Sequence, residues 1–108
     1  MIPASPVLEV VSELDALAAS GAAAGEIVAE AGTAIARWWW EGRGDGQADR
    51  IVGMVSELVL WCSVAACEHE AGRERLVRAG RVTEAEEAGR RARSLRQACD
   101  ALGGLVGT

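Results

Sequence analysis

Apolar and small residues recur along the first forty residues with alternating spacings of four and three. The register comprises Val10, Leu14, Leu17, Gly21, Ala24, Val28, Ala31, Ile35 and Trp38. Because this spacing marks one face of an α-helix, the pattern predicts one long helix over 6–41. Gly21 and Gly25 each weaken a helix by about 1 kcal/mol relative to alanine, so a break there is the alternative. The broken chain would form four shorter helices that cover one another within a monomer.

A second apolar register predicts a second long helix. Three glycines in the segment 42–46 end the first helix and turn the chain. Positions spaced by four and three then run from Ile51 to Leu76, which predicts a helix over about 48–79. Gly80 follows as a C-terminal signal.

A third, shorter helix is predicted at the end of the chain. Thr83 and Glu86 have the spacing of a capping box and open a helix over 83–103, followed by a short tail at 104–108. The 108 residues therefore predict a single all-α domain. We expect a long antiparallel helical hairpin plus a shorter third helix, that is, a helical bundle that dimerisation could complete.

The unequal helix lengths predict a docking surface. At about 1.5 Å per residue, the third helix reaches back along the second only to about residue 60. The stretch 48–59 then keeps one neighbour, although it is apolar on several sides. A helix that is apolar all round is normally buried all round. We therefore expect a homodimer or a partner protein to cover this end.

Three consecutive tryptophans lie at the same end of the hairpin. Successive helical residues point about 100° apart, so the indoles of 38–40 cannot all face the core. The apolar registers place Trp38 and Trp61 in the core and leave the other two tryptophans as interface anchors. We call residues 38–40 and 51–59 the Trp-rich end. The predicted partner-binding residues are Trp39, Trp40, Ile51, Val52, Val59, Glu26 and Glu30.

Charge narrows the class of partner. The net charge is −5. Residues 1–49 contain eight acidic residues and two arginines, whereas residues 50–108 contain eight acidic residues and nine arginines. Most of these arginines have an acidic residue three or four positions away, as on a solvated helix surface. An acidic domain is a poor nucleic-acid binder, so we expect no nucleic acid and a partner with a basic surface.

The chain shows no clear membrane or secretion signal. The apolar run Ile51–Cys67 is interrupted by polar residues, Glu57 among them, and is short for a membrane span. The N-terminal residues lack the basic and apolar regions of a signal peptide. Three cysteines without a CxxC motif predict free thiols, so we expect a cytoplasmic protein that binds no membrane.

Candidate catalytic and metal-binding residues are few. His69 is the only histidine, and it lies seven residues from Cys62, about 10 Å along a helix. That separation is too long for a shared zinc ion. Cys62 and Cys99 come to similar heights when the second and third helices pair. We predict no catalytic residue, no metal and no cofactor; the alternative is a small helical enzyme or metal protein that uses His69, cysteines and carboxylates.

The sequence therefore predicts a small acidic protein-interaction module that is not an enzyme. It would act as a homodimer, or dock a partner through the Trp-rich end. One specific version is an inhibitor from a phage or mobile element, of the anti-CRISPR kind, that covers a basic surface on a larger enzyme.

Overall fold

The fold is an all-α helical bundle, as the sequence predicts. The computed structural model describes residues 6–42, 44 and 46–104. In this part of the chain four helices follow one another: α1 (Pro6–Ala19), α2 (Ala24–Glu41), α3 (Gln47–Arg78) and α4 (Val82–Gly103). The predicted tail beyond residue 104 lies outside the described residues.

The prediction of one helix over 6–41 is wrong, because the chain breaks between α1 and α2. Gly21 adopts a left-handed conformation with φ of 94°. The N–H of Ala22 donates to the carbonyl of Leu17 at 3.0 Å, and the N–H of Gly21 donates to the carbonyl of Ala18 at 3.2 Å. These two bonds form a Schellman motif, a common helix C-terminus that favours glycine. The predicted long hairpin is therefore replaced by four helices.

The bounds of α3 and α4 agree with the predictions to within one residue. Gly80 ends α3 with the same motif: its φ is 76°, and the N–H of Arg81 donates to the carbonyl of Leu76 at 2.9 Å. The predicted capping box is wrong, because α4 already begins at Val82 and has no side-chain cap. The Arg81 guanidinium instead binds Glu84 at 2.6 Å.

The α3–α4 hairpin is the most closely packed part of the bundle, and α1 and α2 cover it. Among the contacts of α1, those with α3 are the most extensive, while α2 packs mainly on α4. All four helices contribute to one core. Its large and fully buried side chains are Leu14, Ile27, Leu58, Leu95 and Leu102. Buried alanines on every helix allow the backbones to approach closely.

The C-terminus of α2 is fixed to the start of α3. Trp38 is buried with 4% of its surface exposed, which confirms its predicted place in the core. The Gln47 side-chain amide donates to the carbonyl of Trp39, and the Arg50 guanidinium donates to the carbonyl of Trp38 at 3.5 Å. The first bond satisfies a carbonyl that the end of α2 leaves without a partner, and the second adds to the bond that the Trp38 carbonyl accepts from the N–H of Gly42.

Trp61 does not lie in the core, so that prediction is wrong. The side chain is 38% exposed. A continuous first helix would have placed Gly21 and Gly25 against it. In the structure a Cβ added to Gly25 meets nothing within 4 Å, and one added to Gly21 meets only Arg90, at 4.0 Å. The break at Gly21 turns α2 back over the hairpin. It moves away the small residues against which Trp61 was expected to pack.

Candidate functional site

One flank of α2 combines acidic residues with an exposed tryptophan. Glu26, Glu30, Arg37 and Trp40 follow the helical repeat along a single stripe, with Thr33 between them. The buried residues of α2, such as Ile27 and Trp38, lie on another face. Trp40 is 65% exposed and both glutamates are exposed. The structure thus brings three of the predicted partner-binding residues onto one side of one helix.

An open groove lies between this flank and α1. It has a volume of about 380 Å³ and is lined by Glu13, Ala16, Leu17 and Glu30. We call it the α1–α2 groove. Its alanine and leucine side chains are apolar, and a carboxylate stands on each of the two helices. The aliphatic stem of an arginine or lysine can rest on such a surface while its charge meets the carboxylates.

The carboxylates of α1 and α2 are almost all without cations. The two helices carry six acidic residues and a single arginine. In the described part of the chain, Asp15 is the only one of these acids in an ion pair. The others are exposed and form no ion pair with any base among the described residues: Glu9, Glu13, Glu26, Glu30 and Glu41. The α1–α2 side therefore presents an uncompensated negative field.

Four of the nine acidic residues of α3 and α4 are in ion pairs, against one of the six on α1 and α2 in the described part of the chain. Arg96 binds Glu70 across the two helices, and this hydrogen bond holds the pKa of the Glu70 carboxyl below its usual value. Shorter-range pairs join Arg78 to Glu74, Arg81 to Glu84 and Arg90 to Glu87. The separation between an acidic layer and a nearly neutral hairpin is therefore a property of the fold.

The predicted Trp-rich end is not one continuous apolar patch. Trp39 is 44% exposed, but it points about 100° away from its neighbour Trp40 around α2. Val52 is 48% exposed, whereas Val59 is half-buried and packs against the core. Ile51 is 8% exposed and lies in the core, which removes it from the candidate surface.

A second apolar surface, which the sequence pattern was not used to predict, lies on the outer side of α3. Leu60 is 59% exposed, Val64 is 37% exposed, and Trp61 lies beside them. These residues fall outside the buried register that includes Leu58 and Cys62. Their spacing of four residues on the side away from that register was the signal that could have found them.

In the described residues, α3 is also the one helix long and apolar enough to cross a membrane. This rests on length and composition alone and is weak evidence, since the core helix of a soluble protein passes the same test. Of its most apolar stretch, 28% is buried inside the molecule.

Two cysteines meet between α3 and α4, at the similar heights that helix pairing predicts. Cys62 and Cys99 are both buried. A hydrogen bond between the two side chains lowers the pKa of Cys99 to about 7, and the same bond together with burial raises the pKa of Cys62. The Cys99 thiol also lies 3.8 Å from the carbonyl of Val59.

His69 lies apart from the cysteine pair and contacts a carboxylate. Its Nε2 atom is 2.6 Å from Oδ1 of Asp15, and this contact ties α1 to α3. Across the residues that the structure describes, no group of three histidine, cysteine or acidic side chains is placed to hold a metal ion. The arrangement gives His69 a structural partner.

The three thiols should differ sharply in reactivity. Cys67 is exposed, whereas Cys62 and Cys99 are buried in the core. With an aromatic disulfide reagent at high dilution, where the protein is monomeric, we expect one fast-reacting thiol in the native state and three after denaturation, because reaction needs access to the sulfur. The Cys67→Ser variant should lose the fast phase. Fast reaction of all three native thiols would contradict the packing of α4 on α3.

Comparisons with models of known families, with characterised proteins and with solved structures found no match for this chain.

Proposed function

We propose that this protein is a non-enzymatic interaction module that binds a basic surface of another protein. The binding face is the α1–α2 groove together with the stripe that runs along α2 to Trp40. One observation carries the proposal: unpaired glutamates and an exposed tryptophan share one flank of α2.

The two kinds of side chain have different roles in such binding. Glutamates without cations attract a positively charged partner over several ångströms and raise its rate of association. They also leave their oxygens free to accept charge-assisted hydrogen bonds from arginine. Trp40 adds a large apolar surface, of the kind that most often dominates the binding energy of an interface.

Occlusion of a basic surface on a larger enzyme is the specific version that we favour. An acidic layer that covers such a surface competes with any anionic substrate for the same cationic side chains. Inhibition in this form needs no reactive group in the inhibitor. Because its thiols are free, we expect the protein to act in the cytoplasm.

A short peptide of alternating arginine and leucine is a suitable probe. We expect this peptide to bind the wild-type protein at low ionic strength, and we expect its affinity to fall as salt is added. Replacing Glu26 and Glu30 by glutamine should weaken binding roughly three- to tenfold, because two surface charge pairs are lost. Titration calorimetry measures both effects.

A matched variant separates a local site from the overall charge. The double change Glu68→Gln and Glu86→Gln removes the same charge from exposed positions of α3 and α4 that, like Glu26 and Glu30, are in no ion pair within the described residues. It should leave the affinity nearly unchanged. Equal weakening by the two double variants would show that the peptide senses net charge alone and would overturn the proposed site. An unaltered affinity in Trp40→Ala would remove the tryptophan from it.

A further inference from the structure

The outer side of α3 carries a helical register that is exposed in the monomer, although Arg50 contacts Trp38 of α2 and Cys67 contacts Arg96 of α4. Positions spaced alternately by three and four run along this side, and every one of them is exposed. They are Arg50, Gly53, Glu57, Leu60, Val64, Cys67, Ala71, Glu74 and Arg78. The spacing is that of the contact seam of a two-stranded coiled coil, and the large apolar side chains of this register, Leu60 and Val64, lie at its centre.

The seam is nearly symmetric about residue 62. Leu60 and Val64 lie two residues on either side of this point, and the small residues Gly53 and Ala71 lie nine residues on either side. Arg50 lies twelve residues before it, and Glu74 lies twelve residues after it. If a second copy of α3 is turned end to end on the first, large residues meet large residues, small meet small, and opposite charges meet.

We propose that two copies of this protein associate through the outer sides of α3 in antiparallel orientation. Leu60 of each copy then packs on Val64 of the other, on both sides of the twofold axis. Glu57 faces the neutral Cys67. Glu74, which pairs with Arg78 of its own chain, lies at the level of Arg50, whose guanidinium donates to the Trp38 carbonyl within the monomer. Trp61 flanks the seam close to the axis. There it packs against Trp61 of the second copy, and this contact removes its exposed surface from water.

Charge decides the orientation. In a parallel pair each seam residue would meet its own copy, so arginine would face arginine at positions 50 and 78. Glutamate would likewise face glutamate at positions 57 and 74. Like charges at four levels of one interface are unfavourable. The antiparallel register avoids all four of these contacts.

This surface is independent of the proposed binding face. The α1–α2 groove and Trp40 belong to α1 and α2, and none of their residues lies on the α3 seam. The dimer would therefore carry two acidic faces. Loss of peptide binding and loss of dimerisation are separate outcomes, since each is measured on its own surface.

The molecular mass in solution, measured by light scattering across a concentration series, tests the interface. We expect the wild-type protein to reach twice the monomer mass. Leu60→Glu should raise the dissociation constant at least a hundredfold, since two buried leucines are lost per dimer. Val82→Glu is the matched control, because Val82 is 61% exposed and lies outside α3. A wild-type monomer at every concentration, or equal effects of both variants, would overturn the proposal.

Disulfide trapping tests the orientation. In the antiparallel register the Glu57→Cys variant brings its new thiol beside Cys67 of the second copy. Diamide should then join the chains by accepting two electrons and two protons from the thiol pair. The Glu68→Cys variant instead places its new thiol about 16 Å along the helix axis from Cys67 of the second copy, so these two thiols should not cross-link. In the wild-type protein, rapid cross-linking of Cys67 in one chain to Cys67 in the other would show a parallel pair and overturn this register.

A membrane is the competing occupant of the same surface. Co-sedimentation with vesicles of phosphatidylcholine and phosphatidylglycerol measures this outcome directly. We expect the wild-type protein to stay in the supernatant. Sedimentation that Leu60→Glu abolishes, together with a monomeric mass in the absence of vesicles, would assign the outer side of α3 to lipid and overturn the dimer.

Discussion

Replacing Trp38 by alanine should destabilise the fold by roughly 3–5 kcal/mol. The indole is 4% exposed and belongs to the core cluster at the junction of α2 and α3. Its removal leaves a large cavity in a core whose other members include many alanines, and such small side chains cannot move in to fill it. A protein of this size is stable by about 5–15 kcal/mol, so the loss is a large fraction of the total. Urea unfolding followed by circular dichroism measures it.

Trp40→Ala is the matched control two positions along the same helix. The side chain is 65% exposed, so truncation should lower the free energy of unfolding by less than about 1 kcal/mol. The expected difference between the two variants is several kilocalories per mole. Similar losses in both would mean that the three consecutive tryptophans are not divided between core and surface as the structure has them.

The two C-terminal helices were predictable because their ends carry strong local signals. Gly46 and Gly80 both adopt positive φ, and glycine is the residue that reaches this region without steric cost. Between them the buried positions of α3 are large side chains at regular spacing, from Ile51 to Cys62. A long stretch with strong periodicity and clear stops fixes a helix before any tertiary contact is known.

The first forty residues lacked this contrast. Gly21 ends α1 through the same hydrogen bonds with which Gly80 ends α3. In the sequence, however, Gly21 sits among alanines, which are small enough to fit either side of a helix. A register that counts small residues as apolar continues through such a segment even where the backbone turns. Periodicity alone therefore could not separate one long helix from two short ones.

The candidate site was predictable in its composition and unpredictable in its assembly. The excess of acid over base in residues 1–49 already indicated a basic partner. The pairing of each carboxylate depends on which helices meet, and this follows from the break at Gly21. For the same reason the groove beside Glu13 and Glu30 had no signal of its own. The symmetric pattern on α3 was present in the sequence, but only the structure shows that these positions are exposed and so available to a second copy.

The core role of α1 leads to the second large expected effect. Leu14→Ala should lower the free energy of unfolding by roughly 2–5 kcal/mol. Leu14 is fully buried, and it lies one residue from Asp15, whose carboxylate holds α1 to His69 of α3. Although α1 has only 14 residues, it should therefore unfold together with the rest of the bundle. Isolated helices of that length are marginal in water, so packing must supply its stability.

Leu8→Ala provides the control within the same helix. Leu8 is 45% exposed, and its truncation should cost less than about 1 kcal/mol. Amide hydrogen exchange adds a second measurement, because the N–H groups of α1 should exchange as slowly as those of α3 if the two helices open together. Fast exchange confined to α1, combined with a small effect of Leu14→Ala, would show a helix that is loosely attached. The α1–α2 groove would then not be a preformed binding surface, since α1 supplies Glu13, Ala16 and Leu17 to it.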